Sequence, residues 1–182
     1  ETIAQIIASG PNRQNEALRQ LTTSALHLAE EELVLTTPYF VPDEASAMAL
    51  RSAGRRGVTA ILIVPARNDS PLVAAASRSY YEPLLEDGVQ IYEFQGGLLH
   101  AKTITIDREL AVVGTANFDR RSFELNFEVT LAVYDSDFAS ELRFLQMSYR
   151  DQSRQVLASQ WMRRPWPRRL LENGAGLLSP LL

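Results

Sequence analysis

Short apolar runs alternate with longer amphipathic segments along the first half of the chain. The apolar runs are rich in β-branched residues or leucine and stop at Gly, Pro or charged residues, which predicts strands at 3–9, 33–37, 58–64 and 89–94. The segments between them repeat apolar residues at helical spacing, which predicts helices at 15–31, 43–57 and 69–86. Alternating strands and helices predict an α/β fold with an at least partly parallel sheet.

The second half of the chain has shorter connections between its apolar runs. Strands are predicted at 99–106, 110–113 and 127–134, and the short connections favour antiparallel neighbours. A long helix is predicted from Asp135 to about Leu157. We therefore expect a mixed β-sheet flanked by helices in one domain over residues 1–157, followed by a distinct tail at 158–182.

Composition limits the classes of protein to which the chain can belong. Its 182 residues are enough for one well-buried domain, and a net charge of −4 argues against non-specific nucleic-acid binding. The absence of cysteine excludes disulfides and thiolate metal sites, and no apolar run reaches the roughly 20 residues that cross a bilayer. The sequence starts at Glu1 rather than Met and runs directly into a strand, so we expect a piece of a longer protein.

The segment that carries chemistry is the predicted strand with His100 and Lys102. Side chains alternate along a strand, so these two are expected on one face and Asp107 on the other, where it can brace the scaffold. A neutral imidazole can attack phosphorus, and an adjacent ammonium offsets the charge on the non-bridging oxygens of a phosphodiester. A His and a Lys on a strand are more often plain surface residues, so the pair alone does not define a site.

A second polar group, Gly114-Thr115-Ala116-Asn117, follows the next predicted strand. The turn can present the Thr115 hydroxyl and the Asn117 amide as donors to the same phosphate oxygens. The whole string, His-x-Lys-x4-Asp-x6-Gly-Thr-x-Asn, resembles the motif of the phospholipase D superfamily. Many members have Ser in place of Thr115, and both residues supply a hydroxyl.

The resemblance extends to the sequence around the motif, which is similar to that of bacterial cardiolipin synthases at 37–42, 77–83, 95–100 and 118–128. It implies a phospholipase D-type catalytic half-domain with five catalytic residues: His100, Lys102, Asp107, Asn117 and Glu128. It further implies four substrate-binding residues: Gly114, Thr115, Ser122 and Asn126. Glu128 is expected to hold the His100 imidazole through its second nitrogen and to fix its tautomer.

The implied reaction makes cardiolipin from two phosphatidylglycerols through a phosphatidyl-histidine, with release of glycerol. The resemblance implies an anionic phospholipid substrate and a location at the bacterial inner membrane, with no cofactor, no metal ion and no nucleic acid. The superfamily site also needs a second histidine motif. His27 lies in a predicted helix with no Lys two residues later, so the second motif is expected from an N-terminal half of the same enzyme or a second copy of the chain.

Two alternatives stay open at this point. One is a phospholipase or nuclease of the same superfamily that works as a homodimer of single-motif chains. The other is a non-catalytic module that docks on membranes and uses the motif only for folding. Two further sets of residues are weaker candidates: residues 67–70 (Arg-Asn-Asp-Ser) lie where a strand meets a helix, suited to headgroup contacts, whereas Arg78 and Tyr80 only resemble family residues.

The tail combines tryptophan, arginine and leucine. Two Trp and four Arg lie within 161–169, and leucines recur near the end at 177–182. Such a segment can lie on an anionic bilayer, or it can pack as an arm on its own domain. Two prolines argue against one continuous helix through 161–169.

Overall fold

The structure is a computed structural model that describes residues 2–11 and 15–177, and a mixed sheet of eight strands forms its centre. The strands of this sheet are β1 (Ile3–Ser9), β2 (Glu32–Thr36), β4 (Thr59–Pro65), β5 (Gln90–Phe94), β6 (Thr103–Ile106), β7 (Leu110–Gly114), β9 (Glu128–Tyr134) and β10 (Ser153–Val156). A second, two-stranded parallel sheet consists of β3 (Phe40–Val41) and β8 (Phe118–Asp119). The helices are α1 (Asn15–Leu28), α2 (Glu44–Arg55), α3 (Pro71–Ser79), α4 (Tyr81–Glu86), α5 (Arg120–Glu124), α6 (Ser136–Asp151), α7 (Ala158–Trp161) and α8 (Trp166–Gly176).

The strand order β1-β9-β7-β6-β2-β4-β5-β10 joins a parallel part to an antiparallel part. β2, β4 and β5 are parallel neighbours, as expected for strands connected through helices. The other neighbouring pairs in this sheet are antiparallel. The predicted mixed sheet flanked by helices is therefore confirmed.

Both faces of the sheet are covered, and alternate residues of the central strands pack on opposite sides. Leu33 and Leu62 belong to the larger core, on the face covered by α1, α2 and α4. Val34 and Ile63 point the other way and share a smaller core with Met147 of α6. Burial on both faces explains why these strands are almost continuously apolar in sequence.

A buried glutamine ties α6 to the two strands at the centre of the sheet. The Gln146 side-chain amide donates to the carbonyl of Val34 at 3.1 Å and to the Thr103 hydroxyl at 3.0 Å, and it accepts from the Thr105 hydroxyl at 2.6 Å. Gln146 is completely buried, so these bonds satisfy an amide that has no access to water. They also fix the first residue of β6, directly after Lys102.

Several predicted elements differ from those observed. The predicted strand 99–106 is wrong for its first half, because β6 begins only at Thr103. The predicted helix 69–86 breaks at Tyr80 into α3 and α4, and the break places Pro83 in the first turn of α4, where its missing N–H costs no hydrogen bond. The predicted helix 135–157 ends at Asp151, and the following residues form the edge strand β10. Helix α1 ends at Leu28 rather than near residue 31.

The tail packs on α3 and α4 as far as the structure describes it. α7 and α8 are separate helices, so the predicted interruption within 161–169 is confirmed. Trp161 is buried against Tyr81, with ring centroids 4.9 Å apart, and the Arg164 guanidinium lies 3.5 Å from the centroid of the Trp161 ring. Arg169 donates to Glu82 at 2.8 Å. The last leucines of the tail, at 178, 181 and 182, lie outside the described residues.

Within residues 2–11 and 15–177, no helix combines the length and the hydropathy of a transmembrane span.

Candidate active site

The predicted site residues converge at one edge of the large sheet. Thr36 at the end of β2 lies opposite Thr103 at the start of β6, and Thr103 lies opposite Val113. Gly114 at the end of β7 lies opposite Thr130 in β9. The loops that precede β6, follow β7 and precede β9 therefore meet at this edge.

His100 and Lys102 lie in an extended segment that enters β6 without ladder pairing of its own. Leu99 is buried and anchors the segment, whereas His100 is exposed and Lys102 is half-buried. The Lys102 ammonium donates to the backbone carbonyl of His100 at 3.0 Å, which fixes the amine beside the imidazole-bearing residue. Burial lowers the pKa of the Lys102 amine, and the carboxylates of Glu128 and Asp119 oppose this shift.

Glu128 stands at the first position of β9 and is buried. Its carboxylate accepts a hydrogen bond from the Thr115 hydroxyl and a second bond from the Asn126 amide at 3.2 Å. Within the described part of the chain, no hydrogen bond joins Glu128 to His100. Thr115 and Asn126 each bond one of the two carboxylate oxygens, and the expected contact between Glu128 and the His100 imidazole stays a prediction.

Asn117, Asp119 and Ser122 form a compact hydrogen-bonded turn. The Ser122 backbone N–H donates to Asp119 at 2.7 Å, and the Asn117 backbone N–H donates to the Ser122 hydroxyl at 3.1 Å. The Asn117 side chain also donates to Asp119, and burial raises the pKa of the Asp119 carboxyl. Ser122 is only 1% exposed, so the structure places it inside the turn, and direct contact with substrate stays a prediction.

One acceptor in this turn has no partner. The side-chain oxygen of Asn117 is buried and forms no hydrogen bond among the described residues. Together with Lys102 and Gly114 it lines a small void of about 30 Å³. An unpaired acceptor in a void that Lys102 also lines suits a site whose hydrogen bonds are completed by a ligand.

Gly114 has a packing reason for its identity. A Cβ atom at this position would lie 2.7 Å from the Thr130 hydroxyl oxygen and 2.9 Å from the Val129 carbonyl oxygen. Any side chain would push β9 away from β7, and with it Glu128. A direct contact of Gly114 with substrate stays a prediction.

Asp107 lies at the opposite end of β6 from His100 and Lys102. Its carboxylate accepts hydrogen bonds from the backbone N–H groups of Glu30 at 2.9 Å, Glu31 at 2.8 Å and Glu32 at 2.8 Å. The structure does not bring it to the candidate site, in agreement with the bracing role deduced from strand alternation. His27 is in the last turn of α1, near the same end of the sheet, and its carbonyl accepts from Arg56 at 3.2 Å.

Asp119 is the residue that sequence reasoning missed. The sequence places it only within the stretch similar to cardiolipin synthases, yet its buried carboxylate opposes the lowering of the Lys102 pKa. The local sequence contains a signal, because Asp119 precedes Ser122 by three residues, the spacing of a helix N-cap. That signal predicts a cap and does not by itself predict a place beside Lys102.

Two pockets open at this edge, and Tyr39 lines both of them. The first, of about 290 Å³, is lined by His100, Arg67 and Asp69 among others, and the second, of about 400 Å³, by Asn117 and Asp119 among others. The sequence-predicted loop 67–70 therefore does lie next to His100. No group of three or more His, Asp or Glu residues within 2–11 and 15–177 is arranged to hold a metal ion.

The two weaker candidates have structural partners. Arg78 forms an ion pair with the buried Glu93 at 3.8 Å. The Tyr80 ring packs edge-on against Phe40, with ring centroids 6.1 Å apart. Neither residue is among those that line the two pockets.

Sequence comparison gives one family for most of the chain. Residues 22–145 match the family described as "Cardiolipin synthase, PLD-like domain". The chain is 45% identical to cardiolipin synthase A of Serratia proteamaculans and 44% identical to that of Proteus mirabilis, each over 178 residues. These alignments cover 98% of this chain and 37% of each relative, so the chain spans a little over a third of their length.

Structural comparison gives the same fold at low sequence identity. Nuc from Salmonella typhimurium, a phospholipase D family member, superimposes with a TM-score of 0.73 and 19% identity over 86% of this chain and 99% of Nuc. The phosphatidylserine synthase of Haemophilus influenzae superimposes with a TM-score of 0.72 and 16% identity over 100% of this chain and 48% of that one.

Proposed function

Because the chain belongs to the cardiolipin synthase family with a phospholipase D-like domain, we propose that it supplies half of a phosphatidyltransferase active site, with His100 as its reacting group. The observation that supports this most is the exposed His100 at the sheet edge, whose backbone carbonyl accepts a hydrogen bond from the half-buried ammonium of Lys102. This pairing suits a phosphodiester, which needs both a nucleophile or acid and a cation for its non-bridging oxygens.

The first displacement in the proposed reaction cleaves one phosphatidylglycerol. A histidine nitrogen attacks phosphorus, a P–N bond forms, and the P–O bond to glycerol breaks. A second, protonated histidine gives its proton to the departing glycerol oxygen. His100 can take either part, and Lys102 stabilises the phosphate charge in both.

The second displacement resolves the phosphatidyl-histidine. A hydroxyl of a second phosphatidylglycerol attacks phosphorus, the P–N bond breaks, and the histidine that gave up its proton now takes one from the hydroxyl. Cardiolipin is the product, and both histidines return to their starting states. The turn at Asn117 and the bonded pair of Thr115 and Glu128 line the site during these steps, with Asn126 holding Glu128.

The second histidine must come from outside the candidate site of this chain. His27 supports this proposal, because it lies near the opposite end of the sheet, in α1. We propose that the second motif is supplied by an N-terminal half of the same enzyme or by a second copy of the chain. The lipid substrates place the reaction at a membrane surface, and we propose the bacterial inner membrane.

The reaction is tested by identifying its products. The protein is assayed with the second motif supplied, on vesicles that contain phosphatidylglycerol with a labelled glycerol headgroup. We expect cardiolipin and free glycerol in equal amounts, because each transfer releases one headgroup. Phosphatidic acid without cardiolipin would indicate a phospholipase. Cleavage of added DNA without lipid turnover would indicate a nuclease, and the absence of any product would indicate a docking module. Each of these results would contradict the proposal.

A further inference from the structure

The pocket of about 290 Å³ beside His100 combines an apolar rim with charged groups. Its apolar lining includes Pro38, Pro65 and Leu98, and the Leu98 side chain is 89% exposed. Arg67 and Asp69 supply opposite charges in the same pocket. An exposed leucine beside charged groups suits a ligand that has both an apolar part and a polar head.

Asp69 is held in place by its neighbours. The Tyr39 hydroxyl donates to both of its carboxylate oxygens, at 2.8 Å and 2.9 Å, and this bond raises the pKa of Tyr39. The Asn68 side chain fixes the loop, because it donates to the Pro38 carbonyl at 3.0 Å and accepts from the Ser70 backbone N–H at 2.9 Å. A carboxylate has about four acceptor positions, so Asp69 retains capacity for ligand hydroxyls.

Arg67 is exposed and has no ion pair or side-chain hydrogen bond with any residue that the structure describes. Its guanidinium is a donor with no acceptor capacity, whereas Asp69 is only an acceptor. A hydroxyl can donate and accept, so a polyol can satisfy both residues at once. An ammonium group can only donate, and the charge of Arg67 opposes it.

We infer that this pocket binds the glycerol headgroup of a phospholipid, with Asp69 accepting from its hydroxyls and Arg67 donating to them. The inference rests on the proposed function and deepens it, because it names the residues that select the headgroup next to His100. Asp69 is in this view a specificity-determining residue and takes no part in bond cleavage.

Binding is measured without catalysis, by NMR titration of the chain with short-chain lipids that stay monomeric. Dihexanoyl-phosphatidylglycerol is compared with dihexanoyl-phosphatidylethanol, which has the same charge but no headgroup hydroxyls, through the amide signals of 67–69 and 98–100. We expect the glycerol lipid to bind more tightly by roughly tenfold or more, the effect of one hydrogen bond to a charged group. Asp69→Ala should reduce the preference for the glycerol lipid clearly, because the carboxylate acceptor is lost while Arg67 can still donate to the hydroxyls.

The controls separate this inference from a general loss of folding. Asp137→Ala removes another exposed carboxylate, in the first turn of α6, and should keep the preference. Tyr39→Phe leaves the Asp69 carboxylate present but less fixed, and should weaken the preference partially. The amide spectrum of each variant reports directly whether it is folded.

Three results would overturn the inference: equal binding of the two lipids, an unchanged preference in Asp69→Ala, or tighter binding of dihexanoyl-phosphatidylethanolamine than of the glycerol lipid. Free glycerol is a fourth probe. If it saturates the pocket at the same concentration as the glycerol lipid, the pocket binds polyols without recognising a lipid, which would also contradict the inference. The binding experiment measures affinity alone. A negative result would therefore disprove the headgroup pocket without affecting the product assay, and a negative product assay would not change the measured affinities.

Discussion

Glu128 and Asp107 stand at opposite ends of the central strands, and their hydrogen-bond partners differ accordingly. Glu128 faces the polar turn at Thr115 and Asn126, within electrostatic reach of Lys102. Asp107 accepts from three successive backbone N–H groups that lead into β2. Two carboxylates from the same motif region therefore serve different purposes, one in the site and one in the scaffold.

Replacing Asp107 tests the scaffold role. Asp107→Ala leaves three N–H groups without their acceptor and places alanine at a positive φ of 51°, so we expect the free energy of unfolding to fall by about 1–3 kcal/mol. Asp107→Asn is the matched control, because asparagine tolerates this backbone conformation and keeps one acceptor oxygen. Urea unfolding measures both variants.

The scaffold role predicts that the two Asp107 variants retain full phosphatidyl transfer per folded molecule. A large loss of activity in a variant with unchanged unfolding free energy would instead place Asp107 in the chemistry.

The residues of the candidate site were predictable from motif spacing, but their contacts were not. The spacing places His100, Lys102 and Asn117 at one sheet edge once the strand directions are known. The partner of Glu128 depends on which polar side chain lies across the β7–β9 pair, and that follows from register. The effect of Asp119 on the Lys102 pKa depends on the burial of its carboxylate near that amine, which only the assembled fold determines.

At the level of elements, the sequence predicted strand bounds correctly where the local residue preference for a strand agrees with burial in the sheet. The central strands β2 and β4 are apolar between their first and last residues and were predicted within one residue of their observed bounds. β10 was missed because Ser153–Val156 has two exposed positions, and its pairing with β5 joins residues far apart in sequence. Such an edge strand is determined by its tertiary partner rather than by its own pattern.

Helix α8 exposes an apolar stripe on the side away from its own domain. Trp166, Leu170 and Leu177 are 74%, 66% and 83% exposed, and their spacing of four and seven residues places them on one face. Glu172 and Ala175 lie on the opposite side and are buried. Part of the tail thus packs on α3, while its outward face has the composition of a segment that lies on a bilayer.

The stripe is tested by binding to phosphatidylglycerol vesicles. We expect the double variant Trp166→Ala, Leu170→Ala to lower the partition coefficient by roughly tenfold or more, since two large apolar side chains lose their contact with lipid. Phe144→Ala is the matched control, because Phe144 is 78% exposed on α6, away from the tail. Vesicle co-sedimentation provides the measurement.

Unchanged vesicle binding of the double variant would leave the tail as an arm that only packs on its domain. Equal losses in the double variant and in Phe144→Ala would show that exposed apolar residues bind vesicles wherever they lie.

On the scale of the whole molecule, one helix connects the proposed lipid-contacting features. α3 begins two residues after Asp69 and packs along its length against α8. The headgroup pocket and the apolar stripe are therefore carried by neighbouring, mutually packed elements. This arrangement suits an enzyme that takes its substrate from a membrane surface while its reacting groups stay at the sheet edge.

The chain contributes one reacting histidine to this arrangement in our account. A complete site then forms only when the edge with His100 meets a second such motif, as a region of a longer polypeptide or as a second copy. The longer relatives leave room for the first arrangement, because the chain spans 37% of the cardiolipin synthases that it resembles. The Nuc fold, 99% of which the chain covers, shows that the same fold also occurs as a single unit.

The central claim is that His100 reacts at phosphorus, and the rate of glycerol release in a single turnover tests it most directly. The assay compares His100→Asn with His27→Asn in protein that has the second motif supplied. We expect a fall of roughly 10³-fold for His100→Asn, since either a nucleophile or the general acid is lost, and no change for His27→Asn. Glycerol release within twofold of the unsubstituted protein in folded His100→Asn would contradict the account.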